Sequence, residues 1–289
     1  MNYRHIYHAG GAADVFKHAV LARILLYLQR KDAALRVIDT HAGAGCYDLS
    51  SPQAQRTGEW AGGIGRLVLH PPTGPAAALL EPYLAAVRAL NPAGGLTLYP
   101  GSPVLVRQLL RRRDRLTAIE IQPEAAAALK ARFAGDIQVR VLALDGWLAL
   151  KAHLPPQERR GLVLVDPPFE AEGEFARLAA GLVAAHRRWP GGVYVLWYPV
   201  KDRREGERFR AGLAASGMPR ILDARLETRA PSAEPRLDGS GLVVVNPPFT
   251  LVDELKLLLL PALAETLADV PGTARWHVAW LAGEAPPEG

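Results

Sequence analysis

The chain has 289 residues, 49% of them apolar, enough to bury the core of one large domain or two small ones. A single cysteine, Cys46, excludes an intramolecular disulfide and suits a reducing cytoplasm, and the most apolar run, Leu255 to Leu263, is broken by Lys256 and Pro261 and falls short of the ~20 residues a bilayer needs. Net charge is only +5, yet Arg107, Arg111, Arg112, Arg113 and Arg115, then Arg159-Arg160, Arg187-Arg188 and Arg203-Arg204, form clusters; each alone reads as a solvated basic face, while together they favour a polyanionic partner through the guanidinium fork.

Along the chain, the opening Met1-Asn2-Tyr3-Arg4-His5 lacks the basic-then-apolar order of a secretory leader, so a cytoplasmic location is expected. Leu35-Arg36-Val37-Ile38 is the first apolar run; it ends at Asp39, and the turn Thr40-His41-Ala42-Gly43-Ala44-Gly45 follows. From about Tyr47 to Leu105 glycine and proline are frequent, one helical patch spans Ala76 to Leu90, and no β-branched strand stands out. This stretch is expected to be a small helical subdomain inserted after the first strand of a single domain covering residues 1–289, too short for a core of its own.

Three further runs end on acids: Leu116 to Ile119 at Glu120, Val139 to Leu144 at Asp145, and Leu162 to Val165 at Asp166. Pro123 opens a helix reaching Phe133, and later strands are expected at Gly192–Tyr198, Ile221–Glu227, Gly241–Val245 and Arg275–Leu281. Unbroken apolar runs mark strands covered on both faces. The expected class is therefore α/β: a Rossmann-like, mostly parallel central sheet with helices on both faces, plus the small helical insertion. Ligands in such sheets bind beyond the carboxyl ends of the strands, which gathers the four acids around one site.

Gly43 and Gly45 permit a tight turn and close backbone approach to a ligand. The dinucleotide pattern Gly-x-Gly-x-x-Gly is broken by Asp48, which argues against a pyrophosphate cofactor. S-adenosylmethionine has no phosphates and carries a sulfonium that acidic strand ends suit. Glu120 is the candidate acid for ribose hydroxyls, and Asp145-Gly146 the candidate for the cofactor's adenine edge. Cys46 reads as a small filler residue.

Asp166-Pro167-Pro168-Phe169 is the candidate catalytic segment. An exocyclic adenine amine is a poor nucleophile because its lone pair is delocalised into the ring. A carboxylate at Asp166 and the carbonyl of Pro167 can accept its two N–H groups, the prolines stiffen the turn, and Phe169 offers a face for a base. A direct displacement at the sulfonium needs no metal. His5, His8, His18 and His41 have no carboxylate or cysteine spaced to complete a metal site, and none is expected. Asn246-Pro247-Pro248-Phe249 is a rival, set aside because it lies three strands further on, toward the expected sheet edge.

These residues, in this order, resemble class I adenine-N6 methyltransferases. The match narrows through Tyr3-Arg4-His5, His8-Ala9-Gly10, Ala13-Asp14-Val15, Lys17-His18, Asp39 to Gly45, Arg56-Thr57-Gly58-Glu59, Tyr99-Pro100-Gly101-Ser102-Pro103, Leu196-Trp197-Tyr198-Pro199-Val200 and Val245-Asn246-Pro247-Pro248. Together they are similar to the bacterial 23S rRNA adenine-N6 methyltransferase J family over nearly the whole chain. The resemblance implies S-adenosylmethionine contacts from His18, His41, Ser102, Glu120, Asp145, Gly146 and Asp166, with Asp166 accepting the reacting amine. It also implies that Tyr3 faces the substrate adenosine, with His5, Lys17 and Phe169 on the same side, and that a single chain works on 23S rRNA. Phe169 departs from the family's usual tyrosine. On the residues alone, His18 reads as a helix-surface residue and Tyr3 as a packed arm. A DNA adenine-N6 methyltransferase, a protein glutamine methyltransferase, and a non-catalytic RNA-binding protein on this scaffold are the competing readings; the absence of an obvious sequence-reading domain counts against the DNA enzyme.

Overall fold

The computed structural model describes residues 4–230 and 236–283, and among them eight strands form one sheet and two more a short pair. In chain order they are β1 (Arg36–Asp39), β2 (Cys46–Asp48), β3 (Leu98–Pro100), β4 (Arg115–Ile119) and β5 (Val139–Leu142). Then come β6 (Gly161–Val165), β7 (Val193–Val200), β8 (Ile221–Glu227), β9 (Gly239–Val245) and β10 (Arg275–Ala282). The large sheet runs β10-β8-β9-β7-β6-β1-β4-β5. From β7 to β5 every pairing is parallel, whereas β9 pairs antiparallel with both β7 and β8, and β10 antiparallel with β8. The class is the expected Rossmann-like α/β fold. All five residues of β6 are buried, because helices cover both faces and an aliphatic run satisfies both at once.

Two expectations need correction. The third acidic run stops as a strand at Leu142, and Asp145 is instead the N-cap of the helix Gly146–Ala152. The insertion is also not wholly helical. Beside the helices Pro52–Thr57 and Gly74–Ala89 it contributes β2 and β3, which pair antiparallel through Tyr47 and Tyr99. Three-residue strands without a β-branched residue leave no sequence signal; pairing and burial of the two tyrosines hold them. Ile64, Leu80, Tyr83 and Tyr99 of this region join the same buried cluster as Phe16, Leu21, Val37 and Leu116.

The N-terminal helix Ala12–Gln29 runs through that cluster, buried on nearly every side from Asp14 to Leu25. His18 therefore lies fully buried inside the fold, not on a helix surface. The rival tetrapeptide is placed differently too. Its strand, β9, is interior to the sheet and runs against β7, so Asn246 emerges at the amino ends of the parallel strands, opposite Asp166. There its side-chain amide donates to the carbonyls of Pro190 and Gly192 at 2.7 and 2.8 Å, which fixes a turn with φ +54°.

Candidate active site

At the carboxyl ends of β1, β4, β5 and β6 lies a cleft of about 940 Å³. His18, His41, Gly43, Ser102, Glu120, Asp145, Gly146 and Asp166 all line it, as do His5 and Lys17. Asp39, first of the four acids, is fully buried behind the lining, where it accepts a hydrogen bond from Ser102 Oγ at 2.6 Å. Burial, with Asp166 opposite, pushes its carboxyl up to about 7. Tyr3 lies outside the described residues.

Pro167 and Phe169 do not line the cleft, although Pro168 does. Phe169 takes φ +51°, a left-handed conformation uncommon for a bulky residue. Its ring packs edge-on against Phe175 and Trp197, with centroids at 4.9 and 5.7 Å. The turn thus aims Asp166 into the cleft and tucks Phe169 into the core beside it.

Asp166 is held by a chain of charges that the sequence does not display. Lys17 Nζ donates to Asp166 Oδ2 at 2.5 Å and to Asp14 Oδ1 at 2.7 Å. Asp14 Oδ2 bonds His5 Nε2 at 2.9 Å and accepts from Gly10 N at 3.0 Å. Burial opposes charge on both residues, but the mutual attraction wins: Lys17 is held well above the usual lysine range, with Asp166 contributing, and Asp14 well below the carboxylate range, with His5 contributing. Asp166 Oδ1 has no partner among the described residues, while Oδ2 is fixed by Lys17.

The opposite wall is built from backbone. Glu120 accepts from Gly43 N at 2.8 Å and from Gln122 N at 2.7 Å, so each carboxylate oxygen is oriented and keeps a lone pair for a ligand. A Cβ on Gly43, which has φ +62°, would lie 2.2 Å from the Tyr47 hydroxyl; one on Gly146 would lie 2.2 Å from the Thr40 carbonyl oxygen. Neither glycine can be replaced without movement. Gly146→Ala should lower stability by about 1–3 kcal/mol, as overpacking does, and widen the β1 turn; urea unfolding reads the first effect and S-adenosylmethionine affinity the second.

Two neutral imidazoles complete the lining. The Thr40 hydroxyl donates to the Leu164 carbonyl at 2.9 Å and so accepts from His41 Nδ1 at 2.8 Å, leaving Nε2 of His41 as an acceptor. Burial holds His41 down to about 4 and His18 down to about 3. His18 Nδ1 bonds the Tyr99 hydroxyl at 2.8 Å, while its buried Nε2 has no partner among the described residues.

Sequence reasoning missed Asp14, although it stands one helical turn before Lys17 and the i,i+3 spacing was available as a signal. It also missed Arg177, which lies over the Trp147 ring at 4.9 Å and 3.3 Å from Asp145. Nothing in the spacing connects those residues. Among the described residues no group of three or more His, Cys, Asp or Glu side chains is placed to hold a metal ion, and no helix is long and apolar enough to cross a membrane.

The family model described as "Ribosomal RNA large subunit methyltransferase D, RlmJ" matches residues 32–282. "Ribosomal RNA large subunit methyltransferase J" of Escherichia coli (strain K12) is 39% identical over 284 residues, covering 98% of this chain and 100% of that protein. The protein of that name from Haemophilus influenzae (strain ATCC 51907 / DSM 11121 / KW20 / Rd) is 40% identical over 286 residues, with coverage of 98% and 100%. A solved structure of a Legionella pneumophila str. Philadelphia 1 protein superposes with a TM-score of 0.86 at 32% identity, over 94% of this chain and 98% of that one.

Proposed function

This chain belongs to the ribosomal RNA large subunit methyltransferase J family, and on that footing we propose that it methylates the N6 amine of an adenine in 23S rRNA with S-adenosylmethionine as donor. The observation that carries the reading is Asp166, whose Oδ2 is clamped by Lys17 while Oδ1 stays open at the mouth of an acidic, glycine-walled cleft.

The residues present fit the cofactor. Glu120 offers lone pairs for two ribose hydroxyls, Gly43 and Gly146 leave the backbone open to close approach, and His18 Nε2 is a buried polar atom that needs a partner. Ser102, His41, Asp145 and Asp166 complete the set we assign to it. When bound, S-adenosylmethionine supplies an electrophilic methyl on a positively charged sulfur. The uncharged His18 and His41 add no repulsion to that charge, and the cleft's carboxylates favour it.

The chain's own work is done on the amine. Asp166 Oδ1 accepts one N–H, which draws the lone pair out of the ring and along the line of attack; Pro167, buried behind the lining, stiffens the turn that aims Asp166. Lys17 holds Asp166 in place, so the acceptor costs no reorganisation when charge develops. The proton the amine sheds leaves for water through the open cleft. His5, tied to Asp14, and Tyr3 are assigned to the substrate side. Phe169 braces the turn, and the geometry does not support a base stacking on it. We take a cytoplasmic monomer, a single domain with residues of about 47–105 as its inserted subdomain, as the working unit.

Methyl incorporation from labelled S-adenosylmethionine into unmodified 23S rRNA, duplex DNA and a release-factor-like protein tests this reading. Label in the rRNA as N6-methyladenosine is the expected result. Label only in DNA or protein, or no calorimetric binding of S-adenosylmethionine, would overturn it. The DNA, protein and non-catalytic readings are not favoured, since the relatives match over their full length and are named as rRNA methyltransferases.

A further inference from the structure

The cleft is the wrong sign for its substrate's backbone. Seven carboxylates line it against three cations, Arg4, Lys17 and Arg177, an arrangement that suits a sulfonium and repels phosphates. The attraction for a polyanion lies at the other end of the sheet. Segments 30–36, 111–115 and 158–160 carry nine lysines and arginines against Asp32, Asp114 and Glu158. That excess of six exceeds the whole chain's +5, so the remainder is slightly acidic.

The three segments form one surface at the amino ends of β1, β4 and β6. Arg36 bonds Glu158 at 2.8 Å, Arg113 pairs with Asp32 at 2.5 Å, and Arg160 donates to the Ala33 carbonyl at 3.0 Å. Arg111 bonds Asp114 at 2.9 Å, Arg115 donates to the Arg112 and Asp114 carbonyls and Arg30 lies over Tyr27, which leaves Lys31, Arg112 and Arg159 exposed and without a side-chain partner among the described residues.

Beside them stands the second tetrapeptide, which catalysis does not use. Antiparallel β9 delivers Asn246-Pro247-Pro248-Phe249 to this same end, and the Asn246 turn presents Phe249 with 73% of its surface exposed. The Phe249 ring meets Tyr27 edge-on at 5.7 Å, and Arg30 lies 5.4 Å over the Tyr27 ring. An exposed aromatic fixed at the border of uncommitted cations matches how single-stranded nucleic acid is held, by stacking of bases and tracking of phosphates.

We propose that this face, opposite the cleft, is a second RNA-binding surface on which Lys31, Arg112 and Arg159 contact the phosphates of an unpaired rRNA segment and Phe249 stacks one of its bases. The two surfaces are separated by at least the length of the parallel strands, about 16 Å for the five residues of β6. The proposal rests on an RNA substrate, and binding is therefore measured apart from turnover.

The test compares wild type, Lys31→Gln/Arg112→Gln/Arg159→Gln, Phe249→Ala, and a charge-matched control at the carboxyl ends of the strands, Lys201→Gln/Arg204→Gln/Arg208→Gln. Kd for a 23S rRNA fragment is read between 50 and 200 mM salt, and S-adenosylmethionine affinity by calorimetry verifies that each variant is folded. The first triple variant should lower the slope of log K against log salt by about 2 and raise Kd at least tenfold. Phe249→Ala should raise Kd about tenfold with the slope unchanged. Cofactor affinity should stay constant throughout. Equal losses in the two triple variants would reduce the effect to net charge and overturn the assignment. So would unchanged rRNA binding, or retained rRNA binding with lost binding to anionic lipid vesicles. If wild type binds no rRNA, the proposed function falls as well; if wild type binds and methylates it while these variants match it, only this inference falls.

Discussion

Asp166→Ala should abolish N6-methyladenosine formation in 23S rRNA, a loss of at least ~10³ in turnover, while the protein stays folded and binds S-adenosylmethionine more weakly through the remaining contacts. The magnitude follows from what is removed: a preorganised acceptor aimed at the reacting group, where loss of one such hydrogen bond costs ~10²–10³, together with the carboxylate that the turn exists to place. Stability should suffer less than activity. Lys17 keeps its bond to Asp14 Oδ1 at 2.7 Å, so no buried charge is left without a partner. Asp166→Asn is the informative companion, because its amide oxygen can still accept one N–H while the charge is gone; it should fall between wild type and alanine. Mass spectrometric mapping of rRNA decides, and unchanged methylation in the alanine variant would sink the mechanism. Asn246 could not then take the role, because it stands at the other end of the sheet.

Lys17→Met should be the most destabilising single change at the site. Lys17 is buried between two carboxylates, with 4% of its side chain exposed against 3% for Asp14 and 15% for Asp166. Removing one member of a buried ion pair typically costs about 3–5 kcal/mol, because the charge left behind is desolvated and unmatched. Here two carboxylates lose their shared cation, and Asp14 retains only His5 and the Gly10 amide. Against a total stability of about 5–15 kcal/mol for a typical domain, that is a large fraction. Urea unfolding should show a lower midpoint, and turnover should fall more than a hundredfold even in the folded fraction, since Asp166 is no longer anchored. Lys17→Arg should recover part of the stability but misplace Asp166, as a planar fork does not match a point charge. Wild-type stability in Lys17→Met would refute the clamp.

Where sequence reading succeeded, the reason is physical. Leu162 to Val165 must satisfy an apolar neighbour on each face, so β6 is written as an unbroken aliphatic run and Asp166 stands out at its end. Ile221 to Glu227 matched β8 residue for residue. Strand polarity, in contrast, leaves no mark on composition. Nothing in Leu242 to Val245 distinguishes a strand running up from one running down, and so the site of the second tetrapeptide was misjudged. The direction of Phe169 was equally hidden, because a left-handed φ at a bulky residue comes from its surroundings, with no glycine or asparagine to announce it. The partnership of Lys17 with Asp166 spans 149 positions, and no local pattern carries such a contact.

That separation also dictates when the site can exist during synthesis. At about 5–20 residues per second, Lys17 is synthesised roughly 7–30 s before Asp166. For all that time a lysine destined for the interior has no Asp166 to meet. Asp14, one turn earlier on the same helix, is translated first and neutralises it locally, so the helix can collapse against apolar neighbours without carrying a bare charge inward. Asp14 thus gives the cation a local partner until Asp166 is translated.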